Sequence, residues 1–389
     1  MDHKKRNLII AIVIYIASAL VSYILFSSFT SGGGTLTQTP LPEAGKEGRV
    51  SFDDSLPKTE ECPLNGAKYS KQQEQWWEKH RPLGIMIENH KEARPQSGLS
   101  YADVVYEVVA EGGITRFLAV YYCQDAGIVA PVRSARTYFL DFISEYGDYP
   151  LYVHVGGANT PGRADARSQI EDYGWNLYND LNEFSIGYPV FERDYERLDR
   201  QVVTEHTMTS STNLLWTFAE KRRKLTNKDE DGNSWDENFV KYSFKEDVKE
   251  AARPESQAVS FNFWEGYNDY SVTWNYNKTA NSYLRTNGGS PHKDLTTGKQ
   301  ISAKNVVILF MTESRANDGY EGNLHMLYGT KGTGRASIFI DGQEITGTWS
   351  KKDRLSRLTL RDNRGQEIKF NRGPIWFAIL NTGSSVVVK

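Results

Sequence analysis

The residues best suited to chemistry lie between Arg81 and Thr137, in RPLGIMIENHKEARPQSGLSYADVVYEVVAEGGITRFLAVYYCQDAGIVAPVRSART. Within it, Val104 to Glu111 and Ile114 to Tyr122 are β-prone runs separated by Gly112-Gly113, a two-residue hairpin signal. Such a turn sets Glu111 opposite Ile114, Val109 opposite Arg116 and Glu107 opposite Leu118. Side chains alternate across a strand, so Glu107 and Glu111 are expected to share a face with Arg116, which stands diagonal to both. On a solvated face this trio is a cross-strand salt bridge. In a cleft it orients a ligand, or raises one carboxyl's pKa for acid–base work.

Ala130-Pro131-Val132-Arg133-Ser134-Ala135-Arg136-Thr137 follows, and Phe139, Phe142, Ile143 and Tyr146 then recur at helical spacing with Ser134 as the predicted N-cap. A helix start attracts anions through its free N–H groups and macrodipole. Arg133 and Arg136 are unfavourable there for the helix, yet guanidinium groups bind phosphate or carboxylate through paired hydrogen bonds. The pattern reads either as an anion site using Arg116, Arg133, Ser134 and Arg136, with Glu111 beside them, or as a structural network closed by Glu107 and Glu111. Leu83 to Ile87 predicts a buried strand, and Asn89 just past its end is a further candidate ligand contact. Leu151 to Gly157 predicts another strand. Its His154 is a candidate general base or a satisfied core residue, and His206 with Glu205 would join it only if the two converged.

A chain of 389 residues with 39% hydrophobic content suffices for two domains with cores. A net charge of −3 leaves no global basic field and argues against nucleic acid as a partner. Aromatics at 12% suit β-rich packing or a carbohydrate-facing surface. Leu8 to Phe29 is an uncharged apolar run long enough to cross a bilayer as a helix. Lys4, Lys5 and Arg6 before it predict a cytoplasmic N-terminus and an extracytoplasmic body. The run's length favours an uncleaved anchor over a signal peptide, and no cysteine follows closely enough for lipid attachment. Outside the membrane disulfides form, and Cys62 and Cys123 are either bridged or two separate buried thiols.

The expected organisation is a tip and anchor over 1–29, a Gly/Thr/Pro-rich tether over 30–60 and a domain over 61–220. A charged, solvated connector over 221–256 and a second domain over 257–389 complete it. The second domain is expected to be antiparallel sheet, with hairpin turns such as Asp341-Gly342. Its NGGSPHKD segment, carrying His292 and Asp294, is expected as a surface loop. GxSxG, HExxH, Walker, dinucleotide-glycine and CxxC patterns are all missing, so no cofactor is expected.

RPLGIMIENHKEARPQSGLSYADVVYEVVAEGGITRF, PVRSART, YVHVGG, GTGRASIFIDGQEITGTWSK and GPIWFAIL resemble the YerB-like family of bacterial cell-surface proteins, over most of residues 80–389. The resemblance implies a fold of class α+β, with a mixed N-terminal domain followed by a mainly antiparallel β-rich one, here behind a transmembrane helix. Family members are often described as lipoproteins, and the apolar anchor departs from that pattern. Glu107, Arg116, Arg133 and Arg136 stand in the family's motifs, which supply no mechanism. The expected function is a membrane-tethered extracytoplasmic protein that holds an anionic envelope ligand, such as a wall polymer. The rivals are an envelope hydrolase or transferase with Glu107 or His154 as acid or base, and a non-catalytic scaffold for envelope proteins.

Overall fold

Two of the most apolar stretches, Asn305–Met311 and Ile375–Asn381, lie side by side as parallel strands, and the architecture grows outward from them. The structure is a computed structural model and describes residues 49–389, which belong to one compact unit. Ten strands make the main sheet: β1 (Leu83–Glu88), β2 (Val104–Glu111), β3 (Ile114–Tyr121), β4 (Leu151–His154), β5 (Asp180–Asn182), β6 (Asn305–Met311), β7 (Gly332–Ile340), β8 (Gln343–Lys351), β9 (Thr359–Asp362) and β10 (Ile375–Asn381). Their spatial order is β9-β8-β7-β6-β10-β2-β3-β1-β4-β5. β6 and β10 are covered on both faces, so NVVILFM and IWFAILN read as continuous apolar runs. The outer β8 alternates buried and exposed residues toward its end, as a strand wetted on one side does.

β10 pairs in parallel with β2, from Ile375 opposite Val104 to Ala378 opposite Glu107. The segments expected as separate domains therefore share one sheet. Strand exceeds helix, 37% against 16%, so the fold is mostly β with few helices, fewer than an α+β class implies. The helices used below are α1 (Lys71–Trp77), α2 (Thr137–Ile143), α3 (Ala166–Asp172) and α4 (Thr212–Arg223). α2 covers one face of the main sheet, where Tyr106 of β2 stacks between Phe142 and Phe377 with centroids 4.7 and 4.8 Å away. A second, smaller sheet, including Ala258–Phe261, Val272–Asn277 and Ser282–Asn287, covers the opposite face. There Trp274 meets Trp376 edge-on at 5.3 Å.

Two expectations about loops are corrected. The charged connector is not merely solvated: Trp235 and Tyr242 are buried, and the Trp235 carbonyl accepts a hydrogen bond from the Asp148 N–H. The NGGSPHKD segment is not a surface loop either, since His292 and Asp294 are buried against the first half of the chain. Asp294 accepts from the Ser100 N–H at 2.9 Å, and His292 Nε2 meets Gln96 Oε1 at 2.7 Å. In both cases apolar or polar groups of a polar-looking segment find partners far away in sequence. The anchor expected over Leu8 to Phe29 and most of the tether lie outside the described residues. Among the described residues no helix is long and apolar enough to cross a membrane.

Packing of α1 on α4 has a consequence for pH. Trp76 meets Trp216 at 5.3 Å, and the His80 ring stacks on Trp216 at 4.7 Å with its Nδ1 unpartnered. Burial, aided by Lys79, pulls His80 from 6.5 down to about 4. The unfolded chain takes up a proton below pH 6.5 that the folded protein refuses until about pH 4. Stability is thus lost as pH falls through that window, by about 3 kcal/mol. Asp103, pushed up to about 7 by burial, works in the opposite sense, losing stability as pH rises from about 4 to 7. The difference between the wild type and His80→Phe isolates the histidine. Denaturant titrations at pH 7 and pH 4.5 should show the variant gaining about 2 kcal/mol relative to the wild type at the lower pH.

Candidate functional site

The β2–β3 hairpin forms, but its register is not the expected one. Glu111 faces Ile114, and the pairing then shifts at a bulge around Ala110, so that Val109 faces Thr115, Val108 faces Arg116 and Glu107 faces Phe117. One extra residue changes the parity of the alternation and sends side chains to the other face. Glu111 and Arg116 remain together on the α2 face. Glu107 moves to the face covered by the second sheet, away from Arg116. The expected carboxylate pair around one guanidinium is therefore split between two layers.

On the α2 face the arginines do converge, around Glu111. Arg116 Nη2 is 3.0 Å from Glu111 Oε1, and Arg136 Nε donates to Oε2 at 2.9 Å, with Nη2 on the same oxygen. Burial opposes ionisation of Glu111, yet Arg116, Arg136 and Arg133 overcome it and hold its carboxyl far below the usual range. Burial also lowers the Arg116 pKa against the pull of Glu111. For Arg136 burial again acts downward, but Glu111 prevails and the pKa rises. Arg133 stands 3.2 Å from Glu88, an ion pair whose Nε lacks hydrogen-bond geometry. Ser134 is not the N-cap. α2 begins after Arg136, without a side-chain cap, because Ala135 is held in a bridge to Gly157. The Ser134 carbonyl instead accepts from Arg116 Nη1 at 2.9 Å. Arg116 and Arg136 are thus committed inside the protein, and only Arg133 and Glu111 reach solvent appreciably, at 22% and 24% side-chain exposure.

The opposite face holds a sealed network. Arg285 Nη2 lies 2.7 Å from both oxygens of Glu107, and the two side chains are 0% exposed. Thr115 Oγ1 and Trp376 Nε1 donate to the same carboxylate at 3.0 and 3.1 Å. Asn89, expected near a ligand, is buried here. It donates to Thr115 at 2.7 Å and accepts from Arg94, Gln96 and Asn287. Arg285 escapes sequence reasoning. The available signal was an arginine at an inward position of the alternating strand SYLRTN.

The histidines bind different carboxylates. His154 meets the Gly156 carbonyl and Asp180 Oδ1, each at 2.5 Å, so both ring nitrogens are occupied. His206 pairs with Glu88 at 2.8 Å, not with its neighbour Glu205, and stacks on His90 at 4.8 Å. Cys62 and Cys123 form a disulfide.

Next to the arginine cluster, a cavity of about 370 Å³ opens between α2, α3 and the Leu327–Lys331 turn. Thr137 and Tyr138, which follow Arg136, line it with Arg163, Lys331 and Asp141. Lys331 Nζ pairs with Asp141 at 2.6 Å. Among the described residues Arg163 has no ion-pair partner and is exposed. Tyr138 connects this cavity to the cluster electrically, since Arg136, Glu111 and Arg116 all act on its phenol, which burial pushes above its ordinary range.

Comparison with known proteins finds two matching family models. Residues 67–225 match the protein of unknown function (DUF3048) N-terminal domain, and residues 259–377 match its C-terminal domain. A curated protein described as "Putative lipoprotein YerB" of Bacillus subtilis (strain 168) is 28% identical over 338 residues, covering 84% of this chain and 89% of that protein. The crystal structure of the YerB protein from Bacillus subtilis superposes with a TM-score of 0.65 at 24% identity, covering 85% of this chain and all of that one. That likeness establishes the fold.

Proposed function

We propose that this chain, which belongs to the DUF3048 family of proteins of unknown function, is an extracytoplasmic, membrane-attached protein that binds an anionic envelope ligand beside its arginine cluster. The observation that carries the reading is the charge of the cavity over Tyr138. Arg163 and Lys331 face it with Asp141 as the one acid among the residues lining it, and that acid is already paired with Lys331. Behind the cavity floor, Arg116 and Arg136 share the single carboxylate of Glu111, which leaves one positive charge in excess within that cluster, partly offset by Glu313 behind Tyr328. A phosphate or carboxylate entering there meets guanidinium and ammonium donors suited to it. Arg116 and Arg136 act as the fixed field behind the site, and Arg163 and Lys331 as its contacts.

Attachment to the outer face of the membrane is supported by the relative described as a lipoprotein and by the apolar run over Leu8 to Phe29. Both cysteines are consumed by the disulfide, which favours the apolar run as the anchor and an oxidising compartment. The hydrolase reading is weaker, because the Glu107 oxygens are occupied by Arg285, Thr115 and Trp376 in a solvent-free layer.

Titration of the full-length protein with poly(glycerol phosphate) and with polyglutamate tests the reading and separates the two kinds of anion. Arg163→Ala and Lys331→Ala should each weaken binding of the preferred polymer about tenfold, with the thermal midpoint little changed. Binding that is unchanged in the double variant, or lacking for both polymers in the wild type, overturns it.

A further inference from the structure

We infer a second ligand site, for a neutral oligosaccharide, in the groove between the second sheet and the ends of β6 and β10. The groove encloses about 840 Å³, within the range of small-molecule sites. Ser260, Thr273 and Val387 form part of its floor as one row across three strands, with Ser260 Oγ and Thr273 Oγ1 3.0 Å apart. Its wall is a pair of aromatic rings, Trp264 and Tyr267, nearly perpendicular at 79° with centroids 5.5 Å apart.

Both rings are held in place although they face the groove. Trp264 Nε1 donates to Glu313 Oε1 at 2.9 Å, and the other oxygen of Glu313 accepts from the Tyr328 hydroxyl at 2.5 Å. Tyr267 is 42% exposed, yet its back rests on the tip of the β2–β3 hairpin. A Cβ on Gly113 would lie 2.2 Å from a ring carbon, so only glycine leaves room for the phenol. An exposed ring immobilised from behind is a stacking platform that costs little side-chain entropy on binding. Around it Asn262, Asn381 and Ser384 supply amide and hydroxyl groups that both donate and accept.

This chemistry selects the occupant. Among the described residues no lysine or arginine lines the groove, while Glu265 and Glu313 do, so a phosphate polymer is repelled. A pyranose offers C–H faces to the rings and hydroxyls to the polar floor, which matches an amphipathic wall of this kind. The two sites meet at Tyr328, which lines the cationic cavity and holds Glu313, but the lining residues differ, so failure of this site would leave that reading untouched.

The test is titration of the full-length protein with chitohexaose and, separately, cellohexaose, followed by intrinsic tryptophan fluorescence and calorimetry. At least one sugar should bind and perturb the fluorescence. Tyr267→Ala, at an exposed position, should weaken that binding roughly three- to tenfold, whereas Arg163→Ala with Lys331→Ala should leave it unchanged. Thr273→Val, which keeps shape and removes a hydroxyl, should also weaken it. Failure of both sugars to bind, or equal affinity in the Tyr267→Ala variant, overturns the inference.

Discussion

Replacing Arg285 with Met is expected to destabilise the protein by about 3–5 kcal/mol, the cost of leaving one member of a buried ion pair uncompensated. Arg285 reaches across 178 residues to place Nη2 between the two oxygens of Glu107. Its Nη1 meets His292 Nδ1 at 2.8 Å, and its guanidinium lies over Trp376 at 4.9 Å and over Trp274 and Phe117 at 5.7 Å. Burial lowers the Arg285 pKa, and Glu107 resists that pull. In this solvent-free layer each charge has the other as its ion-pair partner. Glu107→Gln alone should cost a similar amount, since the guanidinium is then stranded in the same dry layer. Glu107→Gln with Arg285→Met should return to within about 2 kcal/mol of the wild type, because the amide oxygen can still accept from Trp376 while its NH2 donates to the Thr115 hydroxyl, which accepts as well as donates. Denaturant titration of the four proteins gives the coupling directly. Additive losses would show that the charges are not mutually dependent, and that the second sheet is held to the main one by its aromatic contacts and hydrogen bonds such as Asn287 to Asn89.

That pair also marks how far the sequence can be read. Strand β1 was legible because LGIMI is an unbroken apolar run, and the hairpin because Gly112-Gly113 separates two β-prone runs. Local pattern suffices for both. The bulge at Ala110 has no such signal, since VVAEGG is as compatible with a regular ladder as with an extra residue. Yet that one residue decides whether Glu107 faces Arg116 or Arg285. The pairing of β10 with β2 is likewise invisible, because parallel strands far apart in sequence leave no turn between them. His292 looked solvated amid Gly, Ser, Pro, Lys and Asp, and is buried because Gln96 and Arg285 satisfy its ring. The arginines of PVRSART were legible as a group, and the structure brings Arg116 and Arg136 together. Of the two readings of that group, the structural network closed by Glu111 is the one found for Arg116 and Arg136; what the sequence did not reveal is that Arg163 and Lys331 line the neighbouring cavity.

Removing the disulfide, by Cys62→Ala with Cys123→Ala, is expected to lower stability by about 4 kcal/mol. The bond spans a sequence separation of 61 residues, and the chain between its ends contains β1, β2 and β3, the centre of the main sheet. Cross-linking a loop of that length removes much of the freedom of the unfolded chain, and the effect grows with the logarithm of loop length. The folded geometry should survive the loss, because a second tie joins the same two places. The Asp103 carboxylate accepts from the Tyr122 and Cys123 N–H groups at 2.8 and 2.9 Å and from Asn65 Nδ2 at 2.8 Å. The variant should therefore give an unchanged near-ultraviolet circular dichroism spectrum with an earlier denaturation midpoint. Wild-type protein treated with a thiol reductant should show the same shift, while the reductant should leave the variant unaffected. A variant as stable as the oxidised wild type would mean that the unfolded chain is already held compact without the bond, and that the Asp103 contacts and the Gln73 hydrogen bond to the Cys123 carbonyl suffice to join the N-terminal arm to β3.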